Sequence, residues 1–170
     1  MLLMRKTFFH VCLLCLFLYA GCARSVKESS LPYIKKSPVY LTLPSVEGTL
    51  YSLESLRGTA VFVAFFSTWC RPCPIVFDRL LQVQAALTEN KVQIVAISVD
   101  HDPRFLDMYA ETMNLPFPVL QSTQEALENA GIGRVLSVPA ILLLDAKGFP
   151  RGFLSGIPTT RELAKFANRL

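Results

Sequence analysis

The sequence predicts an α/β layer fold: a mixed β-sheet flanked by helices, with a short β extension at its N-terminal side. Three observations carry this. Residues 60–66, 92–99 and 140–145 are near-continuous apolar runs of strand length, the pattern of strands buried on both faces. Between the first two, residues 71–88 place Val76, Leu80, Val83 and Leu87 at spacings of four, three and four, one apolar helical stripe. After the third run, residues 146–150 turn the chain so that residues 151–155 return as a hairpin partner, which makes the sheet mixed.

The remaining elements follow in order. Residues 38–43 read as a short strand, Glu47-Gly48-Thr49 as a turn, and residues 50–56 as a strand running into a helical turn. Residues 103–113 read as a helix, with Asp102 as N-cap and Pro103 in the first turn. Residues 117–120 are extended, and residues 124–130 form a brief helix stopped at Gly131. Thr159 or Thr160 caps a last helix to residue 170, with Glu162 in its first turn. There is no internal repeat and no second domain boundary, so residues 38–170 read as one domain.

The whole chain has 170 residues and is 52% apolar, with a mean hydropathy of +0.40. The first 21 residues hold 16 apolar ones, and the rest falls to the roughly 45–50% of ordinary soluble domains. Residues 1–22 read as an export signal: Arg5 and Lys6, an uncharged run, then Ala20-Gly21-Cys22. The ending resembles a bacterial lipoprotein signal, in which Cys22 receives lipid and becomes the N-terminus. Tyr19 departs from that pattern, and the uncharged run is long enough for an uncleaved anchor. Lipid attachment at Cys22 is the preferred reading, an anchor the second, full cleavage the third. The first two tether the domain to the membrane, outside the cytoplasm. Residues 23–37 are polar and read as a flexible spacer. Lys and Arg number 17 against 13 Asp and Glu, and two of the basic residues lie in the leader, which gives no basis for a nucleic-acid surface.

Of the five cysteines, Cys12 and Cys15 sit in the leader and Cys22 at its end, so the domain holds only Cys70 and Cys73. They lie in Ser67-Thr68-Trp69-Cys70-Arg71-Pro72-Cys73-Pro74, where a buried strand ends and a helix begins. A helix start offers unpaired N–H groups and the positive end of the dipole, which favour a thiolate at Cys70. Cys73 is one turn further on the same face, so Cys70 can attack a disulfide and Cys73 can resolve the mixed disulfide. Arg71 adds a positive charge, and Pro72 stiffens the turn. A structural zinc site needs about four ligands, and only His101 supplements the pair in the domain. A purely structural disulfide across two residues closes too small a loop to stabilise much.

Residues 38–170 resemble the thioredoxin fold and, more specifically, the membrane-tethered bacterial thiol–disulfide oxidoreductases of the TlpA/ResA type. The resemblance rests on residues 65–73, on Ala96-Ile97-Ser98-Val99-Asp100, on Leu115-Pro116-Phe117-Pro118-Val119, and on Ser137-Val138-Pro139 leading into residues 140–145 and Lys147-Gly148. It implies a cis proline at Pro139 facing the dithiol, and a backbone at Val138 that pairs with the substrate chain. Trp69 is then a substrate platform or a cover for the dithiol. It also implies a reductase of exported protein disulfides, haem-binding cysteines of apocytochrome c among them, recharged by a membrane thiol electron donor. The Cys70–Cys73 pair is its redox centre, with no metal and no other cofactor. Two acids of the wider family are replaced here, by Ala64 and Val76, and Asp78 reads as solvent-facing. Asp100-His101-Asp102 reads as a turn with a cap rather than a metal or proton site. Two other readings stay open: a Sco-like copper chaperone, against which the CxxC spacing counts, and a non-catalytic interaction lipoprotein. A peroxidase is disfavoured because Ser67, not Thr, stands three residues before Cys70.

Overall fold

The computed structural model describes residues 36–89 and 92–168. The leader, the Cys22 lipid site and nearly all of the spacer lie outside them. Two short strands, β1 (Thr42–Pro44) and β2 (Leu50–Ser52), form an antiparallel pair, the expected β extension. The main sheet has five strands in the order β5-β4-β3-β6-β7: β3 (Ala60–Phe66), β4 (Val92–Ser98), β5 (Val119–Gln121), β6 (Ala140–Leu144) and β7 (Pro150–Ser155). β3, β4 and β5 are parallel, while β6 and β7 run antiparallel to their neighbours. Helices α1 (Cys73–Glu89), α2 (Leu106–Met113), α3 (Gln124–Asn129) and α4 (Thr160–Ala167) complete the fold, which is thioredoxin-like.

All seven residues of β3 are buried because both of its faces are covered. Successive side chains of a strand point to opposite faces. Phe62, Ala64 and Phe66 therefore meet α1 and α4, where Phe62 lies 5.6 Å from Phe166 and Phe66 lies 5.1 Å from Phe77. Val61, Val63 and Phe65 face the β extension, through Leu41, Leu43 and Leu53, and α3, through Leu127. The predicted stripe of Val76, Leu80, Val83 and Leu87 is buried throughout. Burying a side chain of that size stabilises by about 1.5–3 kcal/mol. These contacts hold β3 rigid, and the dithiol loop starts from its end.

Several boundaries differ from the expectation, and four of them have a local cause. Residues 38–41 stay outside the ladder because their polar groups are engaged elsewhere. Val39 N–H donates to the Gly148 carbonyl at 2.9 Å, Leu41 N–H to Glu54 Oε2 at 3.2 Å, and Arg57 to the Val39 carbonyl at 2.6 Å. Helix α1 begins at Cys73, not Arg71, since Pro72 disfavours helical geometry at Arg71, the residue before it. The 103–113 segment divides into a 3₁₀ turn, Pro103–Phe105, and α2, which Asn114 ends at a left-handed φ of 45°. β5 starts at Val119 because Pro118 has no N–H to give the ladder; its carbonyl accepts from Ala96 N–H at 2.9 Å. The predicted Thr159 cap is present with its capping box to Glu162.

Candidate active site

The end of β3 passes directly into residues 67–72. Cys70 N–H donates to the Ser67 carbonyl and Cys73 N–H to the Cys70 carbonyl, both at 3.1 Å, which coils the loop into the start of α1. Cys70 and Cys73 are joined as a disulfide, with Cα atoms 5.4 Å apart. Cys70 is 5% exposed and Cys73 is 1% exposed, so an incoming group meets Cys70 first. Because α1 starts at Cys73, Cys70 stands ahead of the helix rather than inside its first turn. It still faces the positive end of a 17-residue helix.

The Phe65↔Ala140 pairing brings Pro139 to the same end of the sheet. The Val138–Pro139 peptide bond is cis, and Val138 packs against the core cluster that contains both cysteines. The loop ahead of it is held by Gln124, whose amide donates to the Val135 carbonyl and accepts from Val135 N–H, both at 3.1 Å. Behind it, Gly156 N–H donates to the Pro139 carbonyl at 2.9 Å. Trp69 is 74% exposed, Arg71 is exposed and Pro72 is half-buried.

Asp100 has a role that the sequence reading did not assign. It does not sit in an open turn but is 6% exposed. Its Oδ2 accepts from Thr68 N–H at 2.9 Å and from Ser98 Oγ at 2.8 Å, while its own N–H donates to Ser98 Oγ. The Phe66↔Ser98 pairing places these groups side by side. The carboxylate thus pins the loop two residues before Cys70. Tyr109 stacks on Phe66 with ring centroids 5.5 Å apart, and its phenol is pushed up by burial, with the Asp100 charge adding to the effect. Asp102 does cap the 3₁₀ turn as expected: it accepts from Arg104 N–H and pairs with the Arg104 guanidinium. Hydrogen bonds from Arg104 pull its carboxyl down to about 2. A signal for Asp100 was present in the sequence: Ser98 is the one hydroxyl at the end of a buried strand, two residues before an acid.

Ala64 and Val76 are buried, and Asp78 is exposed. Among the described residues, no group of three or more His, Cys, Asp or Glu is placed to hold a metal ion. No helix among them is long and apolar enough to cross a membrane.

A thioredoxin-like sheet with a disulfide-bonded CxxC at the carboxyl end of its central strand defines a thiol–disulfide oxidoreductase, and the chain is one. It belongs to the AhpC/TSA family, whose model matches residues 35–150. It is similar to the thiol-disulfide oxidoreductase ResA of Geobacillus thermodenitrificans, at 28% identity over 122 residues, covering 71% of this chain and 68% of the relative. The thioredoxin-like protein YneN of Bacillus subtilis is 27% identical over 145 residues, covering 82% of this chain and 81% of that one. Among solved structures, a thiol:disulfide interchange protein of the thioredoxin family from Chlorobium tepidum superposes with a TM-score of 0.67 at 25% identity, covering 79% of this chain and 95% of that one.

Proposed function

We propose that this oxidoreductase is tethered outside the cytoplasmic membrane and reduces disulfides in exported proteins, cytochrome c precursors among them. The observation that carries the reading is the Cys70–Cys73 pair at the end of β3, opposite cis-Pro139, with Cys70 the more accessible sulfur. In the reduced enzyme, the Cys70 thiolate attacks one sulfur of a substrate disulfide and expels the other as a thiolate. Cys73 then loses its proton and attacks Cys70 Sγ. The Cys70–Cys73 disulfide forms, and the second substrate sulfur leaves as a thiolate. Two electrons pass from the enzyme dithiol to the substrate, and two protons follow to the substrate thiols. The backbone at Val138 pairs with the substrate chain during attack. A membrane thiol donor restores the dithiol, which is the only redox group the cycle needs.

The reducing direction is the one that the resemblance to the TlpA/ResA type implies. Arg71, whose charge favours a thiolate at Cys70, is exposed and screened by solvent. Tethering rests on the leader and Cys22. The test is reduction of insulin or a disulfide peptide by the full chain in detergent, supplied with a small dithiol. Cys70→Ser should lower the rate by at least about 10³-fold, and Cys73→Ser should accumulate the mixed disulfide. Exchange that is indifferent to Cys70 would sink the proposal.

A further inference from the structure

Beside the dithiol lies an open cavity of about 350 Å³, lined by Thr68, Trp69, Phe105, Met108, Tyr109 and Thr112. We propose that it is a specificity pocket for one bulky apolar side chain, carried next to the cysteine of the polypeptide under exchange. This rests on Cys70 being the attacking sulfur.

Position makes the first argument. Thr68 and Trp69 are the two residues before Cys70, so a polypeptide bonded to Cys70 already lies over the mouth of the cavity. Adjacent residues of that polypeptide are about 3.8 Å apart, so a side chain one or two positions from its cysteine reaches the cavity. The occupant is thereby fixed by continuity with the exchange site.

Chemistry makes the second. No charged side chain lines the cavity. Trp69 is 74% exposed, Phe105 55% and Met108 60%. Single exposed apolar residues are ordinary on a protein surface, but three gathered at one cavity mark a surface that a partner covers. Asp102 and Arg104, just before Phe105 in the chain, are paired with each other, and the Arg104 guanidinium lies 6.0 Å from the Phe105 ring centre; the Asp100 carboxylate behind Thr68 is buried and held by Thr68 N–H and Ser98 Oγ. A neutral apolar group is therefore what the cavity accepts.

Size and stiffness make the third. The volume is at the small end of ligand sites, suited to a side chain rather than to a cofactor. The floor is fixed: Tyr109 stacks on Phe66, Thr112 Oγ1 donates to the Met108 carbonyl at 2.7 Å, and Thr68 is pinned by Asp100. The lip is adaptable, because an unbranched thioether conforms to differently shaped apolar groups.

The experiment compares two disulfide peptides, identical except for Phe or Ser beside the cysteine, reduced by the full chain in detergent. The readout is the ratio of their kcat/KM values, which divides out any loss common to both. The Phe peptide is expected to lead by about tenfold. In the Phe105→Ser, Met108→Ser double variant the ratio should fall to about one, while Phe105→Leu with Met108→Leu should keep it. A ratio near one in the unaltered protein overturns the inference and leaves the exchange reaction standing, as does a ratio that the serine variants do not change. So does a dimer that sediments as such and dissociates in the serine variant, since a second copy would then be the occupant. A preference that appears only on removing residues 1–35 assigns the cavity to the chain's own leader and likewise overturns it. Reduction of neither peptide takes down both this inference and the reading it rests on.

Discussion

The two ends of the central sheet are each closed by an aspartate, and they are built to different standards. At the end remote from the dithiol, Asp145 accepts from Lys147 N–H at 2.8 Å, Phe149 N–H at 2.9 Å and Arg151 Nε at 2.8 Å. The surrounding backbone is paired as well: Gly58 N–H donates to Ala146 and Val39 N–H to Gly148. Gly148 has a φ of 83°, a conformation that strains any L side chain, and a Cβ there would have to displace the Arg57 guanidinium. At the dithiol end, Asp100 pins the loop, yet three buried polar atoms have no protein hydrogen-bond partner: Ser67 Oγ, Tyr109 OH and Gln121 Oε1. All three belong to that end. Ser67 starts the loop, Tyr109 lines the cavity, and Gln121 donates through its amide to the Asp100 carbonyl. Exposed Trp69, Phe105 and Met108 lie there too. Among the described residues, the buried side-chain polar atoms without a partner all lie at the dithiol end, the kind of group that functional sites retain at the expense of stability.

Substitutions at the two ends test that contrast. The largest effect should come from Asp100→Ala. It leaves Thr68 N–H and Ser98 Oγ without their acceptor, which costs about 1–3 kcal/mol in urea unfolding. It should also slow exchange about tenfold per folded molecule, because the Cys70 loop loses its tether. Asp100→Asn, which keeps one acceptor oxygen, should recover part of both. If only stability falls, the two ends are equivalent and the contrast is wrong. Next comes Asp145→Ala, expected to cost about 2 kcal/mol through its lost hydrogen bonds while the rate per folded molecule stays level. A slowed rate there would show that the far end is coupled to the dithiol.

The smallest effect is that of acid. Burial pushes the Asp145 carboxyl up, but hydrogen bonds from Phe149, Arg151 and Lys147 outweigh it and leave the carboxyl below its usual range. Glu162 is lowered by its bonds to the Thr159 N–H and hydroxyl. Both groups bind a proton less readily folded than unfolded. Their contribution is therefore complete above the ordinary carboxylate range, about pH 4, and drains as pH falls through the lowered folded values. For such solvent-reachable groups it amounts to less than about 1 kcal/mol. Unfolding midpoints should hold between pH 6 and 8 and fall below about pH 4, less steeply in Asp145→Asn.

The satisfied parts of the molecule were the legible ones. Apolar runs marked β3, β4 and β6 because strands covered on both faces show it in composition alone. The CxxC stood out because it lies between a buried strand and a helix, whereas cis-Pro139 ahead of β6 came from the family resemblance. Asp100 was not, because its burial depends on the Phe66↔Ser98 register, a contact between residues 32 apart in sequence. Phe105 and Met108 were read only as parts of a helix. That they meet Trp69 follows from the fold of the loop after β4, which no periodicity within residues 103–113 records.

Trp69 is the chain's only tryptophan, adjacent to Cys70 and open to solvent. A disulfide drains excitation from a neighbouring indole by accepting an electron, whereas a dithiol does so poorly. The protein therefore carries its own optical gauge: the emission of one residue registers reduction of the Cys70–Cys73 disulfide, formation of a mixed disulfide and arrival of an apolar guest, with no label attached.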